Sequence, residues 1–186
     1  MFKSGDSKIH INGKYVGKTN DVRIHKPELH VFHRYMIRSD MNEVWRIENE
    51  CFEFPWTMED FTRCLRQRNV IGMVTEYDGE VVGYMIYEFH DNRFHLLNIA
   101  VARDLQWRGI GRQMIEKLKN RVEVQGRKRI LCEVRETNTA AQFFFKSCGF
   151  RSIRILKDYY EDSEDDAYLF QFRHPLTPPN RNVHSH

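Results

Sequence analysis

The spacing of apolar residues changes repeatedly along the chain, and each change marks an element. Residues 31–38 are β-rich and read as a strand. Asp40, with Glu43 three residues on, reads as an N-cap opening a helix with Val44, Trp45, Ile47, Cys51 and Phe52 as its apolar positions. Phe54-Pro55-Trp56 interrupts that helix, and Thr57 with Asp60 three residues on opens a second, short one. Residues 70–77 and 80–89 are β-rich and joined by Asp78-Gly79, a strong two-residue hairpin signal. Residues 94–101 form a third strand whose apolar run is broken only by His95 and Asn98, which predicts cover on both faces. Residues 109–125 have Ile110, Met114, Leu118 and Val122 at helical spacing. Residues 130–134 read as a short buried strand. Residues 138–147 read as a helix, with Ala141, Phe144, Phe145 and Cys148 on one face and Gly149 as its stop. Residues 150–156 and 167–172 make a last strand pair around an acidic turn. The order predicts an α/β (α+β) fold with a mixed sheet in a single domain, residues 35–173. Residues 1–34 have no sustained period beyond a turn signal at Asn12-Gly13, and residues 174–186 are rich in proline and histidine. Both ends are expected to be disordered.

Composition narrows the class. With 41% hydrophobic and 30% charged residues in a chain of 186, this is ordinary globular composition. No uncharged apolar run approaches the roughly 18 residues of a membrane helix, and the first ten residues lack a signal-peptide core. Cys51, Cys64, Cys132 and Cys148 are widely spaced and read as reduced thiols, so a cytoplasmic protein is expected. Charge is unevenly placed. Residues 1–34 carry seven basic and three acidic side chains, but the body has no basic stripe of the kind nucleic-acid binding requires. Within the body, residues 103–129 hold nine basic residues against three acidic, and residues 158–166 hold six acidic and none basic. The first pole suits a polyphosphate and the second a cationic ligand.

Chemistry concentrates at Gln106-Trp107-Arg108-Gly109-Ile110-Gly111-Arg112, between a buried strand and an amphipathic helix. Glycines there let backbone N–H groups approach an anion, and the helix N-terminus adds about half a positive charge. Arg108 and Arg112 reinforce it. The P-loop pattern fails because Arg112, not Lys-Ser/Thr, follows Gly111. The dinucleotide fingerprint fails because Met114 stands where its third glycine belongs and a meander precedes the loop.

Gln-x-x-Gly-x-Gly after Leu97-Asn98-Ile99-Ala100-Val101 resembles the acetyl-CoA signature of the GNAT N-acetyltransferases. The likeness extends to Phe54-Pro55-Trp56, Cys132-Glu133-Val134-Arg135, Thr137-Asn138, Cys148-Gly149-Phe150 and Asp158-Tyr159-Tyr160. Over residues 35–172 the chain resembles the RimI-type ribosomal-protein-alanine N-acetyltransferases. The resemblance implies the GNAT fold, a mixed and mostly antiparallel central sheet flanked by helices. It also implies transfer of acetyl from acetyl-CoA to the N-terminal α-amine of an acceptor protein, a small-subunit ribosomal protein beginning with alanine.

Under that resemblance, backbone groups of Ile99, Ala100 and Val101 hold the acyl and pantetheine arm. Gln106, Trp107, Arg108, Gly109, Ile110, Gly111 and Arg112 hold the pyrophosphate. Asn138 contacts the cofactor, though a Thr-Asn pair at a helix start reads equally as an N-cap. Glu133, an acid interrupting an apolar strand, is the general base; the bland alternative pairs it with Arg135. The family's general-acid tyrosine is replaced by Phe145, which cannot donate a proton and reads as core. Phe52, Phe54 and Trp56 wall an acceptor groove opposite Tyr159 and Tyr160. His90 and His95 flank the region of Asp91, but no third well-spaced ligand accompanies them and no metal is expected. Two alternatives remain open at this point: a GNAT enzyme acting on a small amine or a lysine side chain, and an acyl-CoA-binding pseudoenzyme.

Overall fold

The computed structural model describes residues 28–160, 163 and 165–175. The Asn12-Gly13 turn signal and the tail beyond residue 175 lie outside them. The first strand, β1 (Phe32–Tyr35), is half the predicted length. Its pattern ends early because Asp40 draws the chain round: its carboxylate accepts from the Arg34 guanidinium at 2.6 and 2.9 Å and from the Ile37 N–H at 2.8 Å. The hydrogen bond from Arg34 holds the Asp40 carboxyl below the usual range. Asp40 therefore does not cap α1 (Met41–Cys51) with its side chain, contrary to the sequence pattern. The second signal holds: at α2 (Met58–Leu65), Thr57 Oγ1 accepts from the Asp60 N–H at 3.1 Å and the Asp60 carboxylate accepts from the Thr57 N–H at 3.0 Å.

The meander follows as β2 (Val70–Tyr77), β3 (Glu80–Phe89) and β4 (Arg93–Val101). Asp78 and Gly79 turn the first hairpin with φ of 53° and 81°, the paired positive values of a type I′ turn. Next come α3 (Ile110–Val124), β5 (Arg129–Arg135), α4 (Thr139–Ser147), β6 (Arg151–Tyr160) and β7 (Asp165–Arg173). The last two strands outrun their apolar runs. β6 is an edge strand with mostly exposed side chains, so hydrogen bonding and not burial sets its length.

The sheet runs β1-β2-β3-β4-β5-β7-β6, and β4–β5 is its one parallel pair among the described residues. Val44, Ile47, Phe61, Tyr84 and Ile86 fill one face beneath α1 and α2. Met114, Ile115, Leu118, Phe145 and Phe170 fill the other beneath α3 and α4. Each such fully buried side chain contributes about 1.5–3 kcal/mol. β4 supplies Phe94 and Leu96 to the second core and Ala100 to the first, the double cover its sequence predicts. No described helix is long and apolar enough to cross a membrane.

Two irregularities on β4 prepare a cleft. Against β3 the register slips between Ile86 and Tyr87, which bulges the strand near Leu97. Against β5 the pairing lasts only from Arg93↔Arg129 to His95↔Leu131. Both strands continue beyond that point, to Val101 and Arg135, and part as they go.

Candidate active site

One wall of the cleft is β4 and the loop after it. Ile99, Ala100 and Val101 pair with Met85, Tyr84 and Gly83 of β3 on one edge, while their other edge lies past the last β5 pair. Gln106 pins the loop to this strand: its side-chain amide donates to the Val101 carbonyl at 3.0 Å and to Cys51 Sγ at 3.6 Å. The chain then turns at Trp107 and Gly109 with φ of 64° and 79°, and α3 starts at Ile110 with no side-chain cap. The first N–H groups of α3 therefore have no acceptor within the helix. They converge with the positive end of the helix dipole on one side of the loop. Gly111 is needed for packing, because a Cβ there would stand 3.2 Å from the Phe144 ring of α4.

One arginine of the loop reaches α4. Arg112 donates to the Ser147 carbonyl and hydroxyl at 3.2 and 3.3 Å, tying α3 to the end of α4. The Arg108 carbonyl accepts from the Leu29 N–H at 3.2 Å, and Gln113 donates to the Leu29 carbonyl at 2.6 Å. The segment just before β1 is thus laid along the loop. A Cβ at Gly109 would lie 2.8 Å from a carboxylate oxygen of Glu28.

The facing wall is β5. Cys132 and Val134 point into the core under α3 and α4, so Glu133 and Arg135 point to the opposite face. Glu133 lies just past the point where β4 and β5 part, 15% exposed, with its Oε2 2.6 Å from His95 Nε2. The alternative partner is engaged elsewhere: Arg135 binds Asp165 at 3.0 Å and donates to Ser163. Its guanidinium also lies over both the Phe54 ring, at 4.9 Å, and the Tyr160 ring, at 3.8 Å. That contact joins the α1–α2 loop to the β6–β7 hairpin above Glu133. Burial pushes the Tyr160 hydroxyl up to about 12. Burial and the nearby Glu133 charge raise Tyr159, which packs edge-on against Tyr160 at 5.1 Å.

The aromatic loop divides its labour. Phe54 faces Arg135, whereas Trp56 packs on Phe61 at 5.4 Å and, with Phe52, borders the first core. Glu48 holds the loop in place. This carboxylate on α1 is 1% exposed and accepts from the Trp56 N–H at 2.8 Å, the Asn98 amide at 3.2 Å and the Tyr84 hydroxyl. Burial raises its pKa and pushes the Tyr84 hydroxyl well up. Sequence reading missed Glu48 and the pairing of His95 with Glu133. The available signals were an acid on an apolar helix face and the polar breaks at His95 and Asn98.

Two sequence candidates take structural positions. Asn138 caps α4, its side chain accepting from the Ala141 N–H at 3.0 Å. Phe145 is 5% exposed and packs against Phe144 and Phe150, both at 5.2 Å, and Phe170 at 6.2 Å.

Comparisons with known proteins agree with this architecture. Residues 41–150 match the model of the Acetyltransferase (GNAT) family. The ribosomal protein bS18-alanine N-acetyltransferase of Salmonella typhimurium is 30% identical over 133 residues, which is 70% of this chain and 89% of that protein. An N-alpha-acetyltransferase of Sulfurisphaera tokodaii is 29% identical over 152 residues, 73% of this chain and 90% of that one. The crystal structure of the ribosomal-protein-S18-alanine N-acetyltransferase from Escherichia coli superposes with a TM-score of 0.72 at 25% identity, over 84% of this chain and all of that one.

Proposed function

The chain belongs to the GNAT acetyltransferase family, and from that premise we propose that it moves acetyl from acetyl-CoA to the α-amine of a protein N-terminus. The observation that carries this reading is the Glu133 carboxylate where β4 and β5 part, with Phe54, Arg135 and Tyr160 packed together beside it. The loop at residues 106–112 fits the diphosphate of acetyl-CoA: its glycines and the uncapped start of α3 direct backbone N–H groups at an anion. The unpaired edge of β4 at Ile99, Ala100 and Val101 offers main-chain groups to the amide-bearing pantetheine arm.

An α-amino group has a pKa near 8 and must lose a proton before it attacks. Glu133 accepts that proton, directly or through one water. The amine nitrogen then bonds to the thioester carbonyl carbon. A β4 N–H faces the oxygen as charge develops on it, an effect worth several kcal/mol. The C–S bond breaks, the thiolate leaves, and the nitrogen gives its second proton to solvent water as the neutral amide forms. A thiol pKa near 8.5 makes this departure tolerable without a dedicated acid, so a buried Phe145 is compatible with turnover. The acceptor chain runs over the Phe54–Arg135–Tyr160 cluster, beside Tyr159, towards Glu133. The relative that shares 30% identity is named for an alanine of a ribosomal protein, and an alanine-initiated small-subunit ribosomal protein, in the cytoplasm, is the acceptor we propose.

Thiol release with acetyl-CoA and a library of N-terminal hexapeptides tests this. Acetylation of free alanine or serine termini is expected, with Glu133→Gln lowering kcat by about 10²–10⁴ while acetyl-CoA still binds. Activity on small amines or lysine side chains alone, or tight acetyl-CoA binding without turnover on any acceptor, overturns the reading.

A further inference from the structure

We propose that Glu88, His90 and His95 form a binding site for a divalent transition metal of the zinc class at the end of the β3–β4 hairpin, with Glu133 orienting one of its ligands. Glu88, two residues before His90, is set by the fold across the hairpin from His95. Glu88 is the register partner of His95, and His90 follows β3 directly. One donor atom from each of the three lies within 4.8 Å of the other two. Glu88 Oε2 is 3.1 Å from His90 Nε2 and 3.9 Å from His95 Nδ1. A tetrahedral zinc with bonds of about 2.0–2.1 Å spaces its ligand atoms about 3.3 Å apart. The first pair is already there; the second closes by about 0.6 Å and the third by at most about 1.5 Å, in side chains that are only partly buried.

The other face of the His95 ring strengthens the assignment. Its Nδ1 is turned to Glu88, and its Nε2 meets the Glu133 carboxylate at 2.6 Å. Metal-bound histidines commonly give their remaining N–H to a carboxylate, which fixes the tautomer and the ring plane. Here that second carboxylate is in place on a neighbouring strand. Two imidazoles and one carboxylate suit zinc and its neighbours, whereas magnesium and calcium favour all-oxygen sets. Three protein ligands leave a fourth position for water. The acetyl-transfer steps above use no metal, so binding is read without turnover.

Chelator-treated full-length protein titrated with zinc chloride by calorimetry should take up one equivalent per chain at this site. Cobalt(II) should give the visible bands of a tetrahedral complex without a thiolate charge-transfer band. His90→Ala and, separately, Glu88→Gln should lose that equivalent while circular dichroism and metal-free turnover stay unchanged. Glu133→Gln should weaken binding by about tenfold or more, the usual cost of removing an orienting carboxylate. Absence of uptake by the unaltered chain overturns the proposal. So does uptake that survives both His90→Ala and Glu88→Gln, or a cobalt spectrum dominated by thiolate, since either assigns the metal to the tail histidines or the cysteines.

Discussion

On the β4–α3 side of the cleft, the groups that face the proposed thioester substrate are main-chain ones: the bulged edge of β4, the left-handed turns at Trp107 and Gly109, and the uncapped start of α3. Side chains there work as fasteners, with Gln106 tied to β4 and Arg112 to α4. On the β5 side the groups are side chains, brought together from four elements: His95, Glu133, Arg135, Phe54 and Tyr160. Backbone geometry presents the same groups whatever the side chains are, so the first wall suits an invariant cofactor. The second wall can be retuned one residue at a time, as a surface that selects among acceptors must be. Substitutions should therefore divide cleanly: those that bend backbone at the first wall should move the KM for acetyl-CoA, and those that loosen the second should move the KM for the peptide.

The largest effect should come from Glu48→Ala. It strands the Trp56 N–H, the Tyr84 hydroxyl and the Asn98 amide without their acceptor. Each buried unsatisfied donor costs about 1–3 kcal/mol, and a total loss of about 3–5 kcal/mol is expected from urea unfolding. The α1–α2 loop loses its anchor, so the peptide KM should rise while the acetyl-CoA KM holds. The sign of the pH dependence follows from burial. Glu48 has a raised pKa in the folded protein, so the stability it contributes is complete below the unfolded value near 4.5 and declines as pH rises through the folded one. The stability gap between the unaltered protein and Glu48→Ala should be wider at about pH 5 than at about pH 8. A gap that widens with pH would mean that the carboxylate is stabilised in its charged form.

Gly109→Ala probes the opposite wall. Gly109 has φ of 79°, and a Cβ would stand 2.7–2.9 Å from the Glu28 side chain. A left-handed non-glycine residue costs about 1–2 kcal/mol. If the cradle relaxes to avoid that cost, the acetyl-CoA KM should rise about tenfold. The peptide KM should not follow. Equal changes in both constants would dissolve the distinction between the walls.

The same distinction explains what the sequence disclosed. The backbone wall was legible because glycines at a fixed spacing, a strand before them and an amphipathic helix after them are all local features. Thr57 with Asp60 and Asp78-Gly79 were legible for the same reason. The side-chain wall was legible only in part. Glu133 stood out as an acid on an apolar strand, but its partner His95 lies 38 residues away and meets it only because β4 and β5 pair in parallel. Asp40 carried the sequence pattern of a helix cap, and an ion pair with Arg34 claimed it instead. The contact of Arg112 with Ser147 has no local signature, because it depends on how α4 packs. Long-range pairing decides each of these, and local period does not encode it.

Phe145→Tyr lies behind both walls and should move neither KM. Its hydroxyl would enter the cluster of Phe144, Phe150 and Phe170. A buried hydroxyl without a partner costs on the order of 1 kcal/mol or more, readable as a lower midpoint in urea. The kcat should change by less than about threefold. A hundredfold rise would instead mean that the new hydroxyl reaches the departing thiolate and that Phe145 had been limiting.

The smallest effect tests how far the first wall is really independent of side chains. Leu29 is fixed to the loop by its own backbone, at the Arg108 carbonyl and the Gln113 amide, and the neighbouring Glu28 side chain lies beside Gly109. Its carboxylate adds a negative charge beside a surface proposed to receive a diphosphate. Removing that charge with Glu28→Gln should lower the acetyl-CoA KM about twofold at low ionic strength, the scale expected for one exposed charge. The gain should vanish near 1 M salt, where the screening length falls to about 3 Å. The peptide KM should stay put, because Glu28 lies on the proposed cofactor side of the cleft. A gain that persists in high salt would point to relief of crowding at Gly109 instead of repulsion. In that case Glu28→Gln and the larger Glu28→Arg should separate the two causes, since only repulsion predicts a further gain from the added positive charge.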